Sequence, residues 1–256
     1  MLKIEQRNAA LIIMIDRPEA GNSINTAAAA ALERAVADAS EDPALRTVII
    51  TGSGEKFFCT GGDIKEYRAV TERAQLDEVM GCSRRALRGL EALEIPVIIA
   101  INGYCLGGGF EMMLAGDIRI ASADAMFALP QARLGIIPGW HGIERLVGLV
   151  GRGRAVALAA GGERIDAAMA EKFRLIDEVV AARPVLDRAL EIASTFEKAA
   201  PLALKAVKKV AFAAACGGST MTESSEDVFA GLWFSADHRE AEAAFAEKRE
   251  PVFEGR

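Results

Sequence analysis

The chain of 256 residues is poor in the side chains that build most metal and nucleic-acid sites, with 2 His, 4 Cys and 6% aromatic residues. The cysteines Cys59, Cys82, Cys105 and Cys216 form no Cys-x-x-Cys pair, and His141 and His238 alone cannot complete a zinc centre, so no metal is expected. Free, mostly buried thiols are the simpler reading. Excess positive charge is also missing. With 30 Lys+Arg against 36 Asp+Glu the net charge is −6, which argues against a broad nucleic-acid or anionic-membrane footprint. Lys205, Lys208 and Lys209 form the one small basic cluster. Long apolar runs are absent: Ala9 to Ile15 stops at Asp16-Arg17-Pro18, too soon to cross a bilayer, and no basic segment with a cleavage site precedes it. The expectation is a cytoplasmic protein with neither a membrane nor a nucleic-acid partner. There is no P-loop, no G-x-S-x-G and no G-x-G-x-x-G after a strand, so nucleotide phosphoryl transfer and serine-hydrolase chemistry lack their usual supports.

What is present is apolar sequence, at 51%, and glycine, at 24 residues, enough for a sizeable core and for close backbone approaches. Leu2 to Gln6 and Ala10 to Ile15, separated by Arg7-Asn8, read as a hairpin of one alternating and one fully buried strand. An alanine-rich helix over Thr26 to Ser40 leads past Pro43 into a strand over Thr47 to Thr51. A helix over Ala74 to Leu93 leads past Pro96 into a strand over Val97 to Ile101. Alternating strands and helices predict an α/β fold. After Gly151 helical signals dominate, over Pro184 to Lys198, Pro201 to Ala215, Thr220 to Phe234 and Asp237 to Lys248. The expected organisation is a core over 1–185 and a C-terminal helical region over 186–256 that caps it or packs on another subunit.

Each of the two apolar strands is followed, after a short loop, by Cys-x-Gly-Gly: Cys59-Thr60-Gly61-Gly62 and Cys105-Leu106-Gly107-Gly108. Two copies in register predict a repeated strand-turn-helix whose glycine backbones face one another. Asp63-Ile64-Lys65-Glu66 has the form of a capping box, and Gly107-Gly108-Gly109 precedes a helix over Phe110 to Leu114. Free backbone N–H groups at the positive end of a helix dipole make both turns able to bind an oxyanion.

These residues resemble the crotonase, or enoyl-CoA hydratase/isomerase, superfamily. The resemblance runs through Asp16-Arg17-Pro18, Phe57 to Lys65, Pro96 to Tyr104 and Leu106 to Glu111. It continues in Ala128-Leu129-Pro130, Gly135-Ile136-Ile137-Pro138-Gly139 and Phe245 to Arg249. Phe110, Phe245 to Arg249 and the ending Pro251 to Arg256 are most similar to its carnitinyl-CoA dehydratase-like branch.

The resemblance implies a ββα spiral core with a C-terminal helical extension, a homotrimer or homohexamer, and an acyl-CoA thioester as partner. No separate cofactor is implied, since coenzyme A belongs to the substrate. The implied reaction is hydration of an α,β-unsaturated thioester, or dehydration of a 3-hydroxyacyl thioester, through an enolate. The Gly62 and Gly108 N–H groups would hold the enolate oxygen. Glu111 matches the first of two family glutamates, although a first-turn glutamate also complements a helix dipole. Where the second glutamate is expected the chain has Gln131, whose amide donates and accepts hydrogen bonds but does not titrate. Gly139 would help to hold the water. Trp140 and His141 replace small family residues and are candidates for the acyl pocket. Gly61, Asp63, Ile64 and Lys65, with Phe245 and Lys248, match coenzyme A contacts. The alternatives are an isomerase or carbon–carbon bond hydrolase using Glu111 or His141, and a non-catalytic acyl-CoA- or RNA-binding protein.

Overall fold

Strands with apolar residues at every position must be covered on both faces, and that requirement organises the molecule. The structure, a computed structural model, describes residues 1–215 and 224–256. Cys216, and the start of the helix expected from Thr220, lie outside the described residues. The chain opens with β1 (Leu2–Arg7) and β2 (Ala10–Ile15), then α1 (Thr26–Glu41), β3 (Thr47–Gly52) and β4 (Phe57–Cys59). It continues through α2 (Ile64–Tyr67), α3 (Arg73–Ala92), β5 (Val97–Ile101), β6 (Tyr104–Leu106) and α4 (Gly108–Met113). Next come β7 (Ile118–Ser122), β8 (Met126–Ala128), a short 3-10 turn (Pro130–Leu134) and α5 (Gly142–Gly161). The C-terminal part holds β9 (Ile165–Asp166), α6 (Ala167–Lys172), β10 (Glu178–Val180), α7 (Val185–Phe196), α8 (Pro201–Ala215), α9 (Ser225–Trp233) and α10 (Ala236–Glu247).

From β3 to β8, successive strands alternate between two sheets. The larger has the order β1-β2-β3-β5-β7-β10 and the smaller β4-β6-β8-β9. Pairing is parallel apart from β1 with β2 and β8 with β9. Each repeat therefore places one strand in each sheet before the chain turns into helix or loop, which is the ββα spiral. Period-two alternation sorts the apolar residues. Val48 and Ile50 of β3, with Val97, Ile99 and Ile101 of β5, face the core beneath α1, α3 and α5. Ile49, Ile98 and Ala100 face Val185, Ala189 and Ala193 of α7. The helix that straddles the expected 185/186 boundary thus covers the second face of the large sheet.

Three local expectations change. β1 is an edge strand whose residues are almost all exposed, so it does not bury alternate side chains. β9 and β10 are strands that the sequence pattern passes over, because two or three residues are too few for a period to show. Asp63 does cap α2, accepting from Lys65 N–H at 3.1 Å, but Glu66 does not close the box. Its Oε2 instead accepts from the Thr26 amide at 2.7 Å and hydroxyl at 2.8 Å, tying α2 to the start of α1.

Of the clustered lysines, Lys208 belongs to the core packing and Lys205 to a surface ion pair. Lys208 is buried against Asp117 at 2.8 Å and donates to the Ile95 carbonyl at 2.9 Å, while Lys205 pairs with Glu94 at 2.9 Å. Among the described residues no helix is long and apolar enough to cross a membrane.

Candidate active site

Parallel pairing of β4 with β6 matches Phe57 with Tyr104 and Cys59 with Cys105, so the two Cys-x-Gly-Gly turns lie side by side. Their approach depends on glycine. A Cβ on Gly109 would stand 2.1 Å from the Cys59 carbonyl oxygen, and one on Gly61 would stand 2.7 Å from the Gly108 nitrogen. Gly61 and Gly107 have φ of 103° and 54°, a region that side chains disfavour. Their own amides are engaged, Gly61 N–H with Cys59 Sγ and Gly107 N–H with the Ala128 carbonyl. The amides of Gly62 and Gly108 have no acceptor among the described residues. The two turns thus present two unengaged donors, the second of them at the N-terminus of α4.

Glu111 lies in the first turn of α4 and is 2% exposed, which sets it apart from an ordinary dipole-complementing surface glutamate. Four donors surround its carboxylate. Oε1 accepts from Gln131 Nε2 and from Gly139 N–H, both at 3.2 Å. Oε2 accepts from Trp140 N–H at 2.6 Å and Gly142 N–H at 3.0 Å. Burial pushes the carboxyl above the ordinary glutamate value, while the amides of Trp140, Gly142 and Gly139 oppose the shift. The outcome is a dry, oriented carboxylate whose proton affinity is raised toward the range useful for acid–base work.

Gln131, on the 3-10 turn, is 8% exposed and donates to Glu111, while its Oε1 is buried without a partner among the described residues. A buried acceptor without a donor is unfavourable by about 1–3 kcal/mol, so this oxygen suits a hydrogen-bond donor that enters the site.

The segment bearing Gly139, Trp140 and Gly142 is pinned from outside. Arg84 Nε donates to the Gly139 carbonyl at 2.8 Å. Arg145 donates to the Trp140 carbonyl at 2.5 Å and grips Glu91 through two bonds of 2.6 and 2.7 Å. The buried Trp140 ring lies against Gly108, where a Cβ would fall 2.4 Å from Cζ3, and its Nε1 is 3.3 Å from Met80 Sδ. Tyr67 covers the other glycine, since a Cβ on Gly62 would fall 2.2 Å from Tyr67 Cε2. Sequence reasoning passed over Tyr67. The available signal was its place one helical turn after the capping Asp63, which folds residue 67 back over Gly62.

His141 caps α5 in the left-handed region, at φ 64°. Its Nε2 is 2.9 Å from Arg88 and its Nδ1 is 3.7 Å from Glu144, and it makes no hydrogen bond to Glu111 or Gln131. It lines a cleft of about 660 Å³ with Ile136, Ile137, Val147 and Val156. Of the candidate coenzyme A contacts, Asp63 is engaged with Arg17 at 2.9 Å, and Ile64 and Lys65 are exposed beside it. Phe245, 88% exposed, and Lys248, which ends α10 at φ 55°, lie on the C-terminal segment. Their backbone bonds stay within that segment.

Two unengaged amides beside a buried carboxylate form a site able to stabilise an oxyanion while moving a proton. The class follows from comparison with known proteins: the Enoyl-CoA hydratase/isomerase model matches residues 5–256, and the chain belongs to that family, the crotonases. It is similar to the carnitinyl-CoA dehydratase of Proteus mirabilis, 37% identical over 261 residues that cover 100% of this chain and 98% of the relative. It is 35% identical to the short-chain-enoyl-CoA hydratase of Clostridium acetobutylicum, over 96% of this chain and 94% of that one. The crystal structure of an enoyl-CoA hydratase from Bacillus anthracis superposes with a TM-score of 0.92 at 34% identity, covering 100% of this chain and 99% of that one.

Proposed function

We propose that this protein interconverts α,β-unsaturated and 3-hydroxyacyl coenzyme A thioesters by adding or removing water. The observation that carries the reading is the pair of unengaged Gly62 and Gly108 amides on adjoining turns, next to the buried Glu111. The names of the two relatives, a dehydratase and a hydratase, support the same direction.

In the hydration direction Glu111 takes a proton from water while the hydroxide oxygen bonds to the β-carbon. The double-bond electrons move through the α-carbon onto the thioester oxygen, which Gly62 and Gly108 N–H stabilise. Losing one such donor typically costs about 3 kcal/mol of barrier. Gln131 cannot deliver a proton, so the α-carbon receives its hydrogen from Glu111, which returns to the carboxylate. Gln131 orients Glu111 through its amide and, with Gly139, positions the water. Trp140 and His141 belong to the walls that the acyl group meets.

Lys65, with Gly61, Asp63 and Ile64, is assigned to coenzyme A, where Asp63 acts by holding the turn through Arg17. Phe245 and Lys248 are assigned to the same ligand from a neighbouring subunit of a homotrimer or homohexamer. The exposed Phe229, Phe234 and Phe245 give the 186–256 region apolar surface for that assembly. No further cofactor is assigned. A reducing, cytoplasmic compartment suits Cys59, Cys82 and Cys105, which are free thiols.

The test is a panel of enoyl- and 3-hydroxyacyl-CoA thioesters incubated in heavy-oxygen water and read by mass spectrometry. One heavy oxygen in a 3-hydroxyacyl product is expected. Heavy oxygen in a free carboxylate, or a shifted double bond without oxygen uptake, would replace hydration by hydrolysis or isomerisation.

A further inference from the structure

Tyr67 is a polar residue at the site to which the hydration mechanism assigns no role. Its ring edge lies over Gly62 so closely that a Cβ there would fall 2.3 Å from the phenol oxygen. A Cβ stands about 2.5 Å from its own nitrogen, so the Tyr67 hydroxyl oxygen is within about 5 Å of the Gly62 amide nitrogen. One acceptor oxygen hydrogen-bonded to both groups would bridge up to about 5.7 Å. The space in front of the Gly62 N–H is therefore within reach of the Tyr67 O–H.

The position of the ring is held from several sides. Tyr67 N–H donates to the Asp63 carbonyl at 3.2 Å, closing the turn of α2 that Asp63 caps, and the ring packs against the main core. Trp140 is also a neighbour that favours charge on the phenol oxygen, while its indole N–H lies 3.3 Å from Met80 Sδ. A neutral phenol has one proton to donate. That proton has no acceptor among the described residues. Burial and the nearby Glu66 and Glu111 carboxylates all disfavour the phenolate, so the hydroxyl remains a donor across the working pH range.

We propose that the Tyr67 hydroxyl is a third donor to the thioester oxygen, acting with the Gly62 and Gly108 amides. This rests on the reading of the site as one that binds an acyl-CoA thioester and stabilises its enolate. A neutral O–H beside two amides strengthens as negative charge grows on the oxygen, so Tyr67 contributes more to the enolate than to the bound ground state. Its closeness to the Gly62 amide makes it a catalytic residue of this chain rather than a packing residue alone.

The experiment uses acetoacetyl-CoA, whose enolate absorbs in the near ultraviolet, and follows the enolate fraction of the bound thioester against pH. The variants are Tyr67→Phe, which keeps the ring, and Tyr67→Met, which keeps an apolar wall. The parent should stabilise the enolate. Both variants should lose at least about tenfold in the enolate equilibrium and in kcat, with KM for an enoyl-CoA changing little and Tyr67→Phe retaining the thermal midpoint. A Tyr67→Phe protein with the parental enolate fraction would overturn the proposal, as would loss in Tyr67→Met alone, since both would assign the effect to packing. A parent that binds acetoacetyl-CoA without stabilising its enolate, or does not bind it, would overturn the functional reading beneath the proposal.

Discussion

Glu111 Oε1 and Gln131 Nε2 are 3.2 Å apart, a carboxylate oxygen and an amide donor on different segments that meet inside the protein. The contact means that the one titratable group of the pair is steered by a neighbour that cannot exchange a proton.

Gln131→Glu places a second carboxyl at that contact. Two carboxyls so close cannot both ionise, and they share one proton, leaving one as acid and the other as base. Crotonyl-CoA hydration is expected to rise by about 10² to 10⁴, measured by the loss of enoyl absorbance. His141→Ala should change it little, because that imidazole is engaged with Arg88. No gain from the glutamate, together with loss of native activity in His141→Ala, would shift the chemistry to a histidine-dependent route.

Glu111→Gln should abolish turnover while leaving coenzyme A affinity nearly unchanged, because the carboxylate acts on the reacting atoms and not on the nucleotide end. The pH dependence has a defined sign. Burial raises the Glu111 carboxyl, so the base form required for hydration is lost as pH falls through a value above the ordinary glutamate range. The acidic limb of the hydration profile should lie at that raised value. A limb at the ordinary glutamate value would contradict the desolvation argument.

Gly142→Ala tests how closely the 139–142 segment grips the carboxylate. A Cβ there would stand 2.5 Å from Glu111 Cγ and 2.8 Å from Oε2. Relieving it must move either Glu111 or the amides that bind it, at a cost of about 1–3 kcal/mol. Activity should drop by about a hundredfold for a misplacement of roughly 1 Å. Gly148→Ala in the same helix is the control: nothing lies within 4 Å of its Cβ. A helix-interior alanine there should raise stability by about 0.5–1 kcal/mol, read by denaturant unfolding.

Lys208→Ala tests the staple between α8 and the core. Removing the ammonium leaves Asp117 without its 2.8 Å partner and the Ile95 carbonyl without a donor. Loss of a buried ion-pair partner typically costs about 3–5 kcal/mol. Asp117 is partly exposed, so the lower end of that range is expected in urea unfolding. A change within about 0.5 kcal/mol, as for an ordinary surface position, would show that α8 is held by its apolar contacts alone.

What the sequence by itself determined is what local pattern can carry. The continuous apolar runs of β3 and β5 and the helical spacing of α1 and α3 mark their own elements within a residue or two. The paired Cys-x-Gly-Gly segments mark two turns that strand pairing sets side by side, because Cys59 pairs with Cys105 in the parallel β4–β6 ladder. Glu111 is legible for the same reason, being a first-turn residue behind a glycine turn. What only the tertiary structure decided are the meetings between distant segments. The amides of Gly139, Trp140 and Gly142 converge on Glu111, Glu66 bonds to Thr26 instead of closing its own cap, His141 turns to Arg88, and Tyr67 lies over Gly62. β9 and β10 belong with these, since strands of two or three residues exist only through the partners they find. Periodicity and capping are properties of neighbouring residues, whereas the direction of a buried hydrogen bond is set by whichever donors the packed core brings within 3 Å or so.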